Sequence, residues 1–258
     1  MSIQEEIVDG FVQFFRKYSD ENGDLTYLNQ LMDILTTSPK RSMEINWEHL
    51  SAFNPELAEE LLENPEDVIL AAEDAIQIVL QEDFFKKDPP MIHARFYGLP
   101  KTYSIKEIGA EIINKNINKF IQIEGIVTRR GEIKTFGSRI IFICKYCGHE
   151  MVRIQKPFGK AIIPEKCEAC GGKEIEIDTG KSQFKDIQQI WIQDPSDKRT
   201  KIKAILLDDL VDTVSIKDKI IATGILRIVP RERRSSITFE KLLEVNHITK
   251  QAKTEGSA

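Results

Sequence analysis

The sequence predicts an α+β multidomain chain: an N-terminal helical bundle, then a small β-barrel with an inserted four-cysteine ribbon and a basic β-hairpin. Three observations predict it. Apolar residues recur at helical spacing in the first third and alternate as in strands over much of the rest. Four cysteines stand as two C-x2-C pairs inside the strand series. Charge divides with the period: residues 1–90 hold 20 Asp/Glu and 6 Lys/Arg, net −14, and residues 91–258 hold 21 acids and 30 bases, net +9. The overall charge of −5 hides that division. An asymmetry of this kind points to a basic interaction surface, and the plain alternative is drift between two soluble domains. No apolar run approaches the roughly 18 to 20 residues of a membrane span. Glu5, Glu6 and Asp9 make the start unlike a signal or transit peptide.

In the acidic part, Ile3, Ile7, Phe11, Phe14, Phe15 and Tyr18 mark an amphipathic helix over 3–18. A polar turn around Gly23 follows. Leu25, Leu28, Leu31, Met32 and Leu35 mark a second helix that ends before Ser38-Pro39. Residues 42–47 alternate weakly, as in a short strand. Asn54-Pro55-Glu56 and Asn64-Pro65-Glu66-Asp67 are two similar helix starts. Each offers an Asn cap, a proline at the first helical position and acids near the positive helix end. The second helix of this pair runs to about Asp83. Four or five helices result, with their phenylalanines, Trp47 and His49 read as packing. Lys86-Lys87-Asp88-Pro89-Pro90 marks a boundary, so the bundle is residues 1–88.

Beyond it, strands are expected at 120–128, with a bend or bulge at Gly125, and at 139–144, 187–193, 202–207, 219–229 and 237–248. Short strands at this spacing form a small antiparallel barrel. Cys144-Lys145-Tyr146-Cys147 and Cys167-Glu168-Ala169-Cys170 give C-x2-C-x19-C-x2-C, a four-cysteine zinc spacing. Glycines follow each pair, where a metal knuckle needs permissive backbone angles. Four thiolates fill a tetrahedral shell and leave no open position, so one Zn2+ at Cys144, Cys147, Cys167 and Cys170 is structural. Two disulfides are the competing arrangement, and His149 is a bystander. The barrel is then residues 89–143 and 179–250, with the ribbon at 144–178, the hairpin at about 226–240 and a polar tail at 251–258. Gly180-Lys181-Ser182 lacks the GxxxxG context of a phosphate loop.

Positive charge falls in three clusters at strand ends: Arg129-Arg130 with Lys134; Lys198-Arg199, Lys201 and Lys203; and Arg227 with Arg231, Arg233 and Arg234. Any one of them reads equally as a solvated loop. Their recurrence on one barrel points to phosphate contacts, with Trp191 either stacking on a base or packing in the core.

The order of parts resembles the N-terminal region of the archaeal minichromosome maintenance (MCM) replicative helicases. The residues that carry the resemblance are Gly125-Ile126-Val127 in FIQIEGIVTRRGEIK, CKYCGHE and CEACGG, Leu206–Asp212 (LLDDLVD), and Thr223-Gly224-Ile225-Leu226 before the arginine hairpin. It covers essentially the whole chain. It implies an oligonucleotide-binding (OB) fold for the barrel and homo-hexameric rings, also head-to-head double hexamers joined through zinc ribbons. Single- and double-stranded DNA would pass through the central channel, contacted by Arg129 and Lys134. Arg227, Arg231, Arg233 and Arg234 would lie on the hairpin that projects inward. Trp191 stands where relatives carry a basic residue, and Arg199 and Lys201 approximate the basic residue of a loop that is shorter here. Replication loading factors would be partners, in the nucleoid-associated cytoplasm of an archaeal cell and with no membrane. No GxxxxGK[ST] loop occurs, so ATP and Mg2+ belong to a motor domain absent from this chain. The chain alone is expected not to be an enzyme, whereas the full-length protein would be an ATP-dependent DNA helicase.

Two other classes compete. A stand-alone single-stranded DNA-binding protein with barrel and ribbon has no need of a large acidic bundle. A nucleotide kinase with a zinc lid requires the missing phosphate loop.

Overall fold

The computed structural model describes residues 3–37, 40–230 and 238–252. Five helices build the first part: α1 (Ile3–Lys17), α2 (Thr26–Thr36), α3 (Trp47–Phe53), α4 (Pro55–Glu63) and α5 (Pro65–Glu82). Acids open α1 and Arg16 and Lys17 close it, as the helix dipole favours. Phe11, Phe14 and Phe15 are fully buried. Phe14 packs on Phe15, Tyr18, Tyr27 and Phe53 at centroid distances of 4.7–5.6 Å, so truncation of such a ring to alanine costs about 3–5 kcal/mol. Trp47 donates its Nε1 hydrogen to the Ala58 carbonyl at 3.0 Å, and His49 stacks on Tyr18. Both are structural, as the sequence reading has them.

The two asparagine caps turn out differently. Asn54 accepts from the Leu57 amide at 3.1 Å and caps α4 as expected. Asn64 makes no side-chain cap for α5, because its amide turns back to Glu60 Oε1 at 2.7 Å. Both asparagines close one helix and open the next, Asn54 between α3 and α4 and Asn64 between α4 and α5, so only the direction of the side chain separates them.

Strand β1 (Ser42–Asn46) pairs in parallel with β2 (His93–Tyr97), which the sequence reading missed. The chain therefore crosses the proline-rich segment at 86–90 and returns to the bundle. Ala94 and Phe96 enter the bundle core, and Phe120 and Ile225 of the barrel join the same core. Bundle and barrel thus share one apolar seam.

The barrel is built from β4 (Phe120–Cys144), β6 (Ile175–Gln193), β7 (Lys201–Leu207), β8 (Lys219–Pro230) and β9 (Phe239–Lys250). The order β4-β6-β7-β9-β8 closes through a β8–β4 pairing, which leaves five strands without a free edge. Closure is not wholly antiparallel, since β7 and β9 run parallel. The short β3 (Thr102–Ser104) adds in parallel to β4, and α6 (Ala110–Asn116) follows. Inside lie Ile123, Val127, Ile190, Ile192, Ala204 and Leu226, among others. At Gly125 the pairing with Ile220 is regular, and the first register shift falls after Val127. A Cβ on Gly125 would stand 2.4 Å from Ile192 Cγ2, so this glycine serves close packing rather than a bend.

Strands expected at 120–128 and 139–144 are one continuous β4, paired with β6 over most of its length. This ribbon leaves the barrel and carries the cysteine module, completed by β5 (Glu150–Ile154). Residues 129–138 escaped the sequence reading because a two-stranded ribbon open to solvent needs no apolar alternation.

Candidate functional site

Two sites are built on this frame. At the ribbon tip, Cys144 ends β4 and the ligand atoms of Cys144, Cys147, Cys167 and Cys170 all lie within 4.8 Å of one another. The Cys144–Cys170 and Cys147–Cys167 sulfurs are 3.5 and 3.6 Å apart. Tetrahedral zinc with Zn–S of about 2.3 Å spaces its sulfurs by about 3.8 Å, so the cluster fits a tetrahedral ion. All four cysteines are free, so the disulfide arrangement is absent. Both knuckles turn alike: Gly148 and Gly171, at φ +71° and +74°, donate backbone N–H groups to the Cys144 and Cys167 carbonyls.

Electrostatics at this cluster favour a cation. The Cys170 amide, and then that of Ala169, bring the Cys167 thiol down to about 6 against the cost of burial. The His149 amide lowers Cys147, but the crowding sulfurs and burial win and push it up to about 12. Four sulfurs this close cannot all ionise without positive charge among them. The buried apolar cluster around the tip is small, Ile140, Phe142 and Met151 with Ile175 packed against it. His149 is exposed and lends only its backbone, as expected of a bystander.

The second site lies on the outer face of the barrel. Register places Arg129 opposite Trp191, and Trp191 opposite Lys203. The next row sets Gln193 opposite Lys201. Ile190 and Ile192 point inward and are fully buried, so Trp191 between them faces out. The Arg129 guanidinium sits over the Trp191 ring at 4.5 Å from its centroid. Trp191 is thus neither core packing nor a bare stacking platform: one face is already covered by Arg129. Lys203 is held by Glu240 at 3.0 Å.

Of the other expected contacts, Lys134 is exposed further out along the ribbon, opposite Ile187. Arg199 projects from the 194–200 loop with its side chain 95% exposed. That loop is wound on Asp194, whose carboxylate accepts from the amides of Ser196, Asp197 and Lys106. Burial raises the Asp194 pKa, and these bonds with the Ser196 hydroxyl outweigh it and hold it low. Arg231, Arg233 and Arg234 lie outside the described residues.

Arg227 requires a correction. Its side chain is only 5% exposed and makes ion pairs with Glu66 of α5 and Glu244 of β9. It also bonds Asn118 Oδ1 at 3.0 Å and lies under Phe158 of the cysteine module at 5.2 Å. Burial and these partners set Arg227 apart from the hairpin arginines with which its position in the sequence groups it. The LLDDLVD run also acquires a role that spacing could not reveal. Asp208 accepts from Arg41 at 2.7 Å and His93 Nε2 at 3.0 Å, and Asp209 pairs with Arg95. The acid pair clasps β2 and Arg41, just before β1, to the barrel.

Two domain descriptions match the chain: the MCM N-terminal domain over residues 8–101 and the MCM OB domain over 108–230. Among similar proteins, the minichromosome maintenance protein MCM of Saccharolobus solfataricus is 25% identical over 96% of this chain. The DNA replication licensing factor mcm2 of Schizosaccharomyces pombe is 24% identical, also over 96%. The chain spans 38% and 31% of those two relatives. The crystal structure of the N-terminal domain of an archaeal MCM superposes with a TM-score of 0.74 at 24% identity, covering 96% of this chain and all of that one. With both domains matched in order and the fold shared throughout, this chain belongs to the minichromosome maintenance family of replicative helicases and corresponds to its N-terminal region.

Proposed function

We propose that the chain is the DNA-binding and ring-assembly region of a replicative helicase whose ATP-driven motor lies elsewhere in the full-length protein. The observation that carries this reading is the outward row Arg129–Trp191–Lys203 with Lys201 beside it. The Arg129 guanidinium lies over the Trp191 ring, which narrows the positions it samples and favours a preorganised phosphate contact. Lys201 extends the positive track along the strand direction, and Lys203 lies beside it paired with Glu240. Single-stranded DNA would run across this face, held by its backbone with little sequence preference. Lys134, Arg199 and the hairpin arginines Arg231, Arg233 and Arg234 would add contacts to single- or double-stranded DNA in a channel. The ring would be a homo-hexamer, or a double hexamer, with the acidic bundle outside, and loading factors would approach it there.

The four cysteines would hold one structural Zn2+ that keeps the ribbon folded. The ion closes the tip, while the chain's own β4 and β6 set its distance from the barrel.

The chain has two tryptophans, Trp47 and Trp191. In a Trp47→Phe background, Trp191 fluorescence should change on titration with a single-stranded oligonucleotide at low salt. Binding with no change in that signal would remove this face from the interface.

A further inference from the structure

The loop that leaves α5 holds Phe85 in the left-handed region, at φ +53°. Lys86 donates its backbone N–H to the Leu80 carbonyl at 3.0 Å across the helix end, and this closure turns the chain through Phe85. Glycine or asparagine usually takes such a position after a helix, and a side chain as bulky as phenylalanine is an outlier there. Burial does not offset the strain, because Phe85 is 86% exposed. Its neighbour Phe84 packs against the bundle core, so one ring is turned in and the other out. Strain that no packing explains points to a role outside the fold itself.

The segment around Phe85 is braced and carries free charge. Gln77 of α5 donates to the Pro90 carbonyl at 3.0 Å, and Pro89-Pro90 stiffen the return toward β2. Met91 follows them, 58% exposed, before Ile92 is buried. Lys86 and Lys87 are exposed and have no ion pair among the described residues. The acids just before them, Glu82 and Asp83, are both taken up by Arg16 at 2.7 Å. Asp88 is the one acid of residues 84–91. The outer end of an acidic bundle thus presents a fixed aromatic ring, a thioether and two unpaired ammonium groups.

We propose that this loop docks another protein, through a short segment that presents an apolar or aromatic side chain beside one or two carboxylates. The assignment does not rest on the Trp191 surface. Phe85 and Met91 supply the apolar contact, and Lys86 and Lys87 the complementary charge. Nucleic acid fits less well. Glu66 reaches the barrel from the first turn of α5, and Asp83 lies 17 residues further on, about 25 Å along the helix from that junction. A nucleic-acid backbone would run on from the two lysines over residues 1–90, whose net charge is −14. One or two carboxylates stay within a Debye length of the lysines, about 8 Å, and escape that repulsion.

The test is methyl NMR of the whole chain, isotopically labelled at its five methionines. Met91 reports on the loop, Met32, 53% exposed on α2, on non-specific binding, and buried Met43 and Met151 on the fold. The probe is the capped peptide DEFDE, compared with DEADE, NQFNQ and a short oligothymidylate. The proposal expects a saturable Met91 shift with DEFDE, weaker by about tenfold for the other two peptides, and none at Met32. Phe85→Ala should abolish the response, and Lys86→Ala with Lys87→Ala should weaken it several-fold. Phe85→Asn, a residue at ease at positive φ, should also lose the response while its urea midpoint stays at or above that of the wild type. A lower midpoint would give the ring a packing role and overturn the proposal. So would no Met91 response, an equal response to DEADE, or a response to the oligonucleotide alone. A Met91 shift that follows protein concentration without peptide would assign the loop to a second copy and overturn it as well.

Discussion

Arg227 of β8 and Glu66 in the first turn of α5 are 161 positions apart in the chain and form a direct ion pair. Lys156 of the cysteine module reaches the same carboxylate at 2.9 Å. Bundle, barrel and ribbon therefore meet on one acid and one guanidinium, with Glu244 as the second anion. Burial opposes the Glu66 charge, yet the Lys156 and Arg227 partners win and lower its pKa.

Removing the buried partner should be costly. Arg227→Ala leaves Glu244 buried without its cation, and loss of one member of a buried pair costs about 3–5 kcal/mol. Glu66 is half exposed, so Glu66→Gln should cost much less. Urea unfolding of the two variants checks the order, and equal small effects would show that the junction is not a stability element.

Trp191 and Arg129 should act as one unit. Trp191→Ala and Arg129→Ala should each weaken single-stranded DNA binding, and the double variant should be no worse than about the larger single effect. Trp191→Phe keeps a ring under the guanidinium and should retain most of the affinity. Additive losses in a double-mutant cycle would mean that Trp191 contacts DNA separately.

Cys144→Ser should release the metal and melt the ribbon tip while bundle and barrel stay folded. Structural zinc is worth about 10–16 kcal/mol in zinc-finger peptides, far more than three buried apolar residues supply. Metal analysis with amide exchange checks it: protection should vanish around Cys144–Ile154 and persist in β8 and α5. A metal-free wild-type chain with a protected tip would contradict the assignment.

Acid should open the bundle–barrel seam. Burial raises the Asp208 pKa, but His93 and Arg41 outweigh it and hold it below its ordinary value, as Lys156 and Arg227 do for Glu66. Depressed carboxylates contribute stability above their unfolded values of about 4, and that stability is lost as pH falls through the folded values. Glu244 has the opposite sign, since burial raises it, and it offsets part of the loss. Stability should decline below about pH 4, less steeply in Asp208→Asn. An unchanged slope in that variant would remove Asp208 from the seam's acid response.

What the sequence could and could not reveal follows from where information resides. The cysteine spacing and its glycines specified the metal knuckles, because ligand geometry is local. Helical spacing of Phe11, Phe14 and Phe15 identified a core face for the same reason. The solvent-exposed stretch of β4 carried no period to read. The fates of Arg227 and Asp208 depend on partners more than 100 positions away, beyond any local pattern. Asn64 does not cap because its side chain turns back to Glu60, whereas Asn54 in the same kind of junction caps α4.

The most direct test of the central claim is the salt dependence of single-stranded DNA affinity. For the wild type and an Arg129→Ala/Lys201→Ala/Lys203→Ala variant, log K is followed against log salt by fluorescence anisotropy. Each phosphate contact contributes a slope of about −0.7 on single strands. The variant should therefore flatten by about 1 to 2, the upper end only if Lys203 leaves Glu240 for a phosphate, with its thermal unfolding unchanged. Parallel lines with equal affinity would contradict the assignment of this barrel face to DNA.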